Sequence, residues 1–104
     1  MSPFIPDISS TVAAAATAAT AETALVKVPD GSFQLRLFNL GPNTVFMNRG
    51  PKGVVATLGG YPIPVGCVEV ITCHNRPDAR VESVAVICAA TQTATLYCTI
   101  GTGD

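Results

Sequence analysis

The chain has 104 residues, of which 48% are hydrophobic and 12% charged, about half the roughly 25% charged share of an ordinary globular protein. Six Lys and Arg stand against seven Asp and Glu, a net charge of −1; this argues against a nucleic-acid binder with a basic face and against a polybasic protein held on a membrane surface. The length allows one small domain and no second core.

Residues 1–24 contain no Lys or Arg, so the positive start of a secretory signal is missing. No run of about 18 strongly apolar residues occurs, as a spanning helix would need. The expectation is a soluble protein made in a cytoplasm and not exported by this segment. A Pro-bounded apolar tip, Ser2-Pro3-Phe4-Ile5-Pro6-Asp7-Ile8, precedes an Ala/Thr tract over residues 11–23. Ala favours helix, and Ser9, Ser10 or Thr11 would cap one over 12–24. The tract has no wide stripe of large apolar residues, and so short a helix is marginal alone. Residues 1–24 therefore read as an extended N-terminal arm that orders against a partner, a tail without fixed structure being the alternative.

From Leu25 the pattern switches to period two. Leu25-Val26-Lys27-Val28 reads as a short strand ended by the turn Pro29-Asp30-Gly31. Residues 32–40 follow, with Phe33, Leu35 and Leu37 on one face and Gln34 and Arg36 on the other. Gly41-Pro42-Asn43 then predicts a hairpin with a strand over 44–49. A turn at Gly50-Pro51-Lys52-Gly53 precedes a short strand over 54–58, and the Gly- and Pro-rich residues 59–64 suit an edge crossing or a loop. Residues 65–73 form a long strand, and 74–79 a polar loop. Residues 80–88 and 93–100 make a last pair, with Ala94, Leu96, Cys98 and Ile100 facing inward. Val84 and Val86 alternate with Ala85 and Ile87, so that strand is apolar on both faces, as in a strand covered on both sides.

About seven short strands with regular turn signals predict an all-β fold, a small antiparallel β-sandwich or jelly roll over residues 25–104 carrying the arm 1–24. A core of that size supplies only about 3–5 kcal/mol without reinforcement, which points to oligomerisation or docking.

No motif for chemistry emerges. Cys67, Cys73, Cys88 and Cys98 form no C-x-x-C pair, and Cys67, Cys73 and His74 lack the tight knuckle spacing of a zinc site. They read as reduced, buried thiols, with structural disulfides less in keeping with a cytoplasmic chain. His74 is the only histidine and sits in the polar loop. No G-x-S-x-G elbow occurs, the carboxylates show no pairing of the glycosidase kind, and the Gly-rich turns lack the remainder of a phosphate loop. The expectation is no enzyme, no cofactor and no metal. Arg49 and Lys52 flank one turn, and Arg76 and Arg80 flank the polar loop; these four cations suit acidic residues on a partner, solvated loop charge being the plainer reading.

The pattern of an Ala/Thr-rich lead, then Phe33-Gln34-Leu35-Arg36-Leu37-Phe38-Asn39-Leu40-Gly41-Pro42-Asn43-Thr44-Val45-Phe46, Pro62-Ile63-Pro64-Val65-Gly66-Cys67-Val68-Glu69-Val70 and Ala94-Thr95-Leu96-Tyr97-Cys98-Thr99 with a Gly-rich end resembles small head-decoration (cement) proteins of tailed bacteriophages. The resemblance covers about three quarters of the chain and rests on turn and strand signatures; no role for the cysteines comes with it. It implies a virion structural protein that binds the outside of the capsid shell, clamps neighbouring major capsid subunits and is assembled in the host cytoplasm. The partners would be the major capsid protein and the chain itself, as a dimer or trimer, with neither nucleic acid nor membrane. Phe4, Ile5 and Ile8 would anchor the arm. A head–tail joining or tail component is the alternative, and a carbohydrate-binding sandwich a second one, weakened by the absence of Trp and the presence of only Tyr61 and Tyr97 for stacking.

Overall fold

The computed structural model describes residues 5–6 and 9–102, and among these it contains strands and no helix. The strands are β1 (Ile5–Pro6), β2 (Val12–Ala16), β3 (Ala21–Ala24), β4 (Gly31–Pro42), β5 (Val45–Gly50), β6 (Tyr61–Ile63), β7 (Val68–Asn75), β8 (Ser83–Ile87) and β9 (Ala94–Thr102). They form two antiparallel sheets packed as a β-sandwich. One runs β1-β9-β4-β7 with β2 also on β9, and the other runs β3-β8-β5-β6. The pairing is nested: β2 pairs β9, β3 pairs β8, β4 pairs β7 and β5 pairs β6, while β4·β9 and β5·β8 complete the sheets.

The period-two residues build the core as the alternation requires. Phe33, Leu35 and Leu37 of β4 and Leu96, Cys98 and Ile100 of β9 are buried against Val45 and Met47 of β5 and Val84 and Val86 of β8. Ala85 is buried as well, so β8 is covered on both faces. The connection over 51–58 is tied on at Asn48, whose side-chain amide donates to the Val55 carbonyl (3.2 Å), and at Thr20, whose hydroxyl accepts from the Ala56 amide (2.9 Å).

The Ala/Thr tract is not an arm over residues 12–24. It supplies β2 and β3, one in each sheet, and Ala14 and Ala16 lie in the core. The weak helix preference of Ala yields because β9 offers a ladder of five residue pairs from Val12↔Cys98 to Ala16↔Ala94, and tertiary pairing routinely overrides a preference of a few tenths of a kcal/mol per residue. Ser10 fixes the start of this ladder. Fully buried, its hydroxyl donates to the Ile100 carbonyl (3.0 Å) and accepts from the Ile100 amide (3.1 Å), standing in for a backbone rung.

Four local expectations also give way. Residues 25–28 and 54–58 are not strands; Leu25 packs into the core from a non-strand segment, and its amide donates to the Glu82 carbonyl. The segments 32–40 and 44–49 are not a hairpin, because β4 and β5 lie in opposite sheets, and the same holds for β8 and β9. At the first crossing the β4·β9 register slips between Asn39 and Gly41. Gly41 has φ +101°, and a Cβ there would stand 2.9 Å from Val65 Cγ1, so the bend needs glycine. Asn39, fully buried, holds the crossing together: its Nδ2 donates to the carbonyls of Asn43 (2.8 Å) and Ile63 (2.7 Å), and its Oδ1 accepts from the Gly41 amide (2.8 Å).

Candidate functional site

The flank of the sandwich where β6 and β7 are the edge strands is closed at one end and open at the other. At the closed end the Tyr61 hydroxyl on β6 donates to Glu69 Oε1 on β7 (2.9 Å), joining the two sheets; this hydrogen bond pushes the Tyr61 phenol above its ordinary range. β6 pairs only with Val45–Met47, so it stops short of Asn48, Arg49 and Gly50. Beside these residues, the end of β7 and the loop to β8 enclose a cleft of about 470 Å³ lined by Arg49, His74, Arg76, Arg80, Thr72 and Val81 among others.

The loop is held in shape by its backbone and one buried side chain. Arg76 and Ala79 exchange backbone hydrogen bonds of 3.3 and 3.0 Å around Pro77-Asp78. Asn75, nearly fully buried, donates through Nδ2 to the Pro29 carbonyl (3.0 Å) and accepts the Val81 amide at Oδ1 (3.1 Å), which clamps both ends of the loop to the turn before β4. From that turn Asp30 Oδ1 meets Arg80 Nη1 at 3.1 Å.

Arg49 is the cross-strand neighbour of the core residue Val84, so its side chain leaves β5 on the inner face of its sheet. Burial pushes the Cys73 thiol up, and the nearby Arg49 guanidinium pulls the opposite way. His74 stands on the outer face of β7, with Nδ1 at 2.9 Å from the hydroxyl of its cross-strand partner Ser32.

Three of the four cations singled out in the sequence therefore meet in one place, together with the only histidine. Lys52 does not join them. It lines a separate cleft of about 320 Å³ with Glu22, Glu82 and Ser83, and its backbone amide donates to Glu82 Oε1 (3.2 Å). There the Ser83 hydroxyl, the Gly53 amide and the Lys52 charge hold the Glu22 carboxyl below its ordinary range, against a smaller opposing effect of burial. Ile5 belongs to β1, paired with Thr102 at the end of β9; Phe4 and Ile8 lie outside the described residues.

A second feature is the outer face of the five-stranded sheet. Register places Val68, Phe38, Tyr97 and Ala13 in one row across β7, β4, β9 and β2, with Val70 beside Arg36 in the next. Val68 and Val70 are 44% and 45% exposed, and Leu40, near the end of β4, and Val65, in the connection from β6 to β7, are 56% and 47% exposed. Nothing in the strand alternation needs valine here, since the partner positions Arg36 and Gln34 show that polar residues fit the same face.

The four cysteines are free thiols, three of them buried and Cys67 half-buried. Among the described residues no three His, Cys, Asp or Glu side chains stand close enough to hold a metal ion. No helix among the described residues is long and apolar enough to cross a membrane. No protein-family model, curated protein or solved structure matches the chain.

Buried polar side chains were the part of this arrangement that pattern reading missed. In the sequence Asn39 falls in the expected strand 32–40, Asn75 in the expected polar loop 74–79, and Ser10 among the expected helix caps. Their burial follows from which strands the sheets bring together.

Proposed function

We propose that this chain is a virion structural protein that decorates the outer surface of a phage-type capsid shell and clamps neighbouring major capsid subunits. The observation that carries the reading is the apolar outer face of the five-stranded sheet, with Val68, Val70, Val65 and Leu40 about half exposed in a chain only 12% charged. Contiguous exposed apolar surface of this kind marks interaction sites. The nested strand pairing supports reading the sandwich as a jelly roll, an architecture used by viral capsid domains as well as lectins and cupins, and the resemblance of the turn and strand segments to head-decoration proteins selects the first of these. With residues 12–24 built into the sheets, the docking surface in this reading is the sheet face and not the Ala/Thr tract. Self-association as a dimer or trimer would use the free edge of β7, the edge strand of that sheet.

The test is co-sedimentation of the purified protein with empty shells of the major capsid protein. Saturable binding, abolished by the double substitution Val68→Asp and Val70→Asp on the outer face, is expected. Absence of binding, or binding indifferent to both substitutions in a folded variant, refutes the proposal.

A further inference from the structure

We propose that the cleft between the end of β5 and the β7–β8 loop is a carboxylate-binding site that takes an acidic protein segment, two or more Asp or Glu side chains presented together by a partner. This deepens the proposed function by naming the chemistry of one partner contact.

Positive charge gathers in this cleft. Three of the chain's six Lys and Arg, and its one His, line a single cleft, and no Asp or Glu is among the lining residues. Like charges gathered at one place repel, and a cleft with low-dielectric walls focuses their field on whatever enters it. Among the described residues the only carboxylate paired with these arginines is Asp30, on Arg80 at the rim.

The loop side of the cleft is held in a fixed shape. Arg49 leaves β5 on the inner face of its sheet, opposite Val84, and the backbone exchange between Arg76 and Ala79, with the Asn75 clamp, fixes the loop carrying Arg76 and Arg80. Arg49 comes from β5 in one sheet and Arg76 and Arg80 from the loop that leaves β7 of the other, so only the folded chain assembles them. A fixed planar fork is the geometry that recognises carboxylates, often through two parallel hydrogen bonds.

The ion pair at the rim points to the kind of ligand. Arg80 already holds a carboxylate, and that carboxylate is easily exchanged: the Asp30 side chain is 91% exposed, and exposed ion pairs contribute only about 0–1 kcal/mol. Asp30 thus occupies the position that an incoming Asp or Glu would take. A nucleic-acid strand fits less well, because it needs cations spaced along a track. Here Arg36 lies on the outer face of β4, and Lys52 is committed to the acidic cleft with Glu22 and Glu82.

The experiment measures binding of a fluorescent hexaglutamate peptide to the full chain by anisotropy, with a hexaglutamine peptide as control. Hexaglutamate is expected to bind and hexaglutamine not. The double variant R76Q/R80Q, which changes two surface-accessible side chains, should weaken binding tenfold or more with the circular dichroism spectrum unchanged. D30N should strengthen it several-fold by removing the internal competitor. Raising the salt to about 0.15 M and beyond should weaken it progressively, as the screening length contracts to about 8 Å. Equal binding of the two peptides, or an affinity unmoved by R76Q/R80Q, overturns the inference. So does displacement of the peptide by inorganic phosphate or a short oligonucleotide at lower charge concentration than by free glutamate, which would make the site a phosphate site. The measurement uses no capsid, so its failure leaves the shell-binding test standing, and the converse.

Discussion

Asn39 offers the sharpest test of how this sandwich is held together. Its side chain lies at 0% exposure and makes three hydrogen bonds, two donated by Nδ2 to the Asn43 and Ile63 carbonyls and one accepted by Oδ1 from the Gly41 amide. Asn39→Ala would leave the Gly41 N–H and up to two carbonyls without these partners. A buried donor or acceptor stripped of its partner costs about 1–3 kcal/mol, so the substitution should lower stability by about 3 kcal/mol. That is a large part of the roughly 5–15 kcal/mol expected of a domain of this size. Asn39→Asp keeps the shape and the acceptor but turns a donor into a carboxylate oxygen facing two carbonyl oxygens, and should be worse than alanine at neutral pH. Below the carboxyl's pKa a proton restores one donor, so the Asp variant should recover relative to Ala as the pH falls. Urea unfolding followed by far-ultraviolet circular dichroism reads this directly, with a slope of about 1–2 kcal/mol per molar for a small domain. Asp tolerated as well as Asn at pH 7, or a difference between Asp and Ala independent of pH, would refute the claim that this amide bridges the two sheets.

Three further outcomes follow from the fold. Deleting residues 1–20 removes β2 with Ala14 and Ala16 and strips the β9 edge of its partner, so the truncated chain should lose its cooperative thermal transition or melt far lower; an unchanged melting temperature would return the tract to the status of an arm. Ser10→Ala leaves the Ile100 amide without its partner and should cost about 1–3 kcal/mol, with faster hydrogen exchange at Ile100 as the local signature. Burial pushes the Cys98 thiol up from 9.0 to about 12 and raises the Cys73 and Cys88 thiols as well. Above pH 9 the unfolded chain releases the Cys98 proton that the folded chain retains, so this contribution is fully present below that pH and is lost between pH 9 and about 12, by up to about 1.4 kcal/mol per pH unit. Cys98→Ala should remove about one proton from that slope in urea titrations across the range.

The conformational class and much of the core were legible in the sequence because they depend on a local quantity, the alternation of large apolar and polar residues along a strand. Phe33, Leu35 and Leu37, and Ala94, Leu96, Cys98 and Ile100, declared their inward faces this way. The doubly apolar Val84-Ala85-Val86 run likewise declared a strand covered on both sides. The sequence also singled out Arg49, Arg76 and Arg80 as residues of one kind, but nothing local says that positions some thirty residues apart share a cleft.

Pairing was decided only by the tertiary structure. A tight turn between two strands looks the same whether the chain folds back within a sheet or crosses to the other, and at Gly41-Pro42-Asn43 it crosses, held by Asn39 and the close approach of Val65. The Ala/Thr tract became strands because the edges of β9 and β8 were available to it, a circumstance absent from its own composition. Alternation is set by neighbours in the chain, whereas register, crossing and charge convergence are set by neighbours in space, and in this protein the second set decides which strands pair and where Arg49, Arg76 and Arg80 meet.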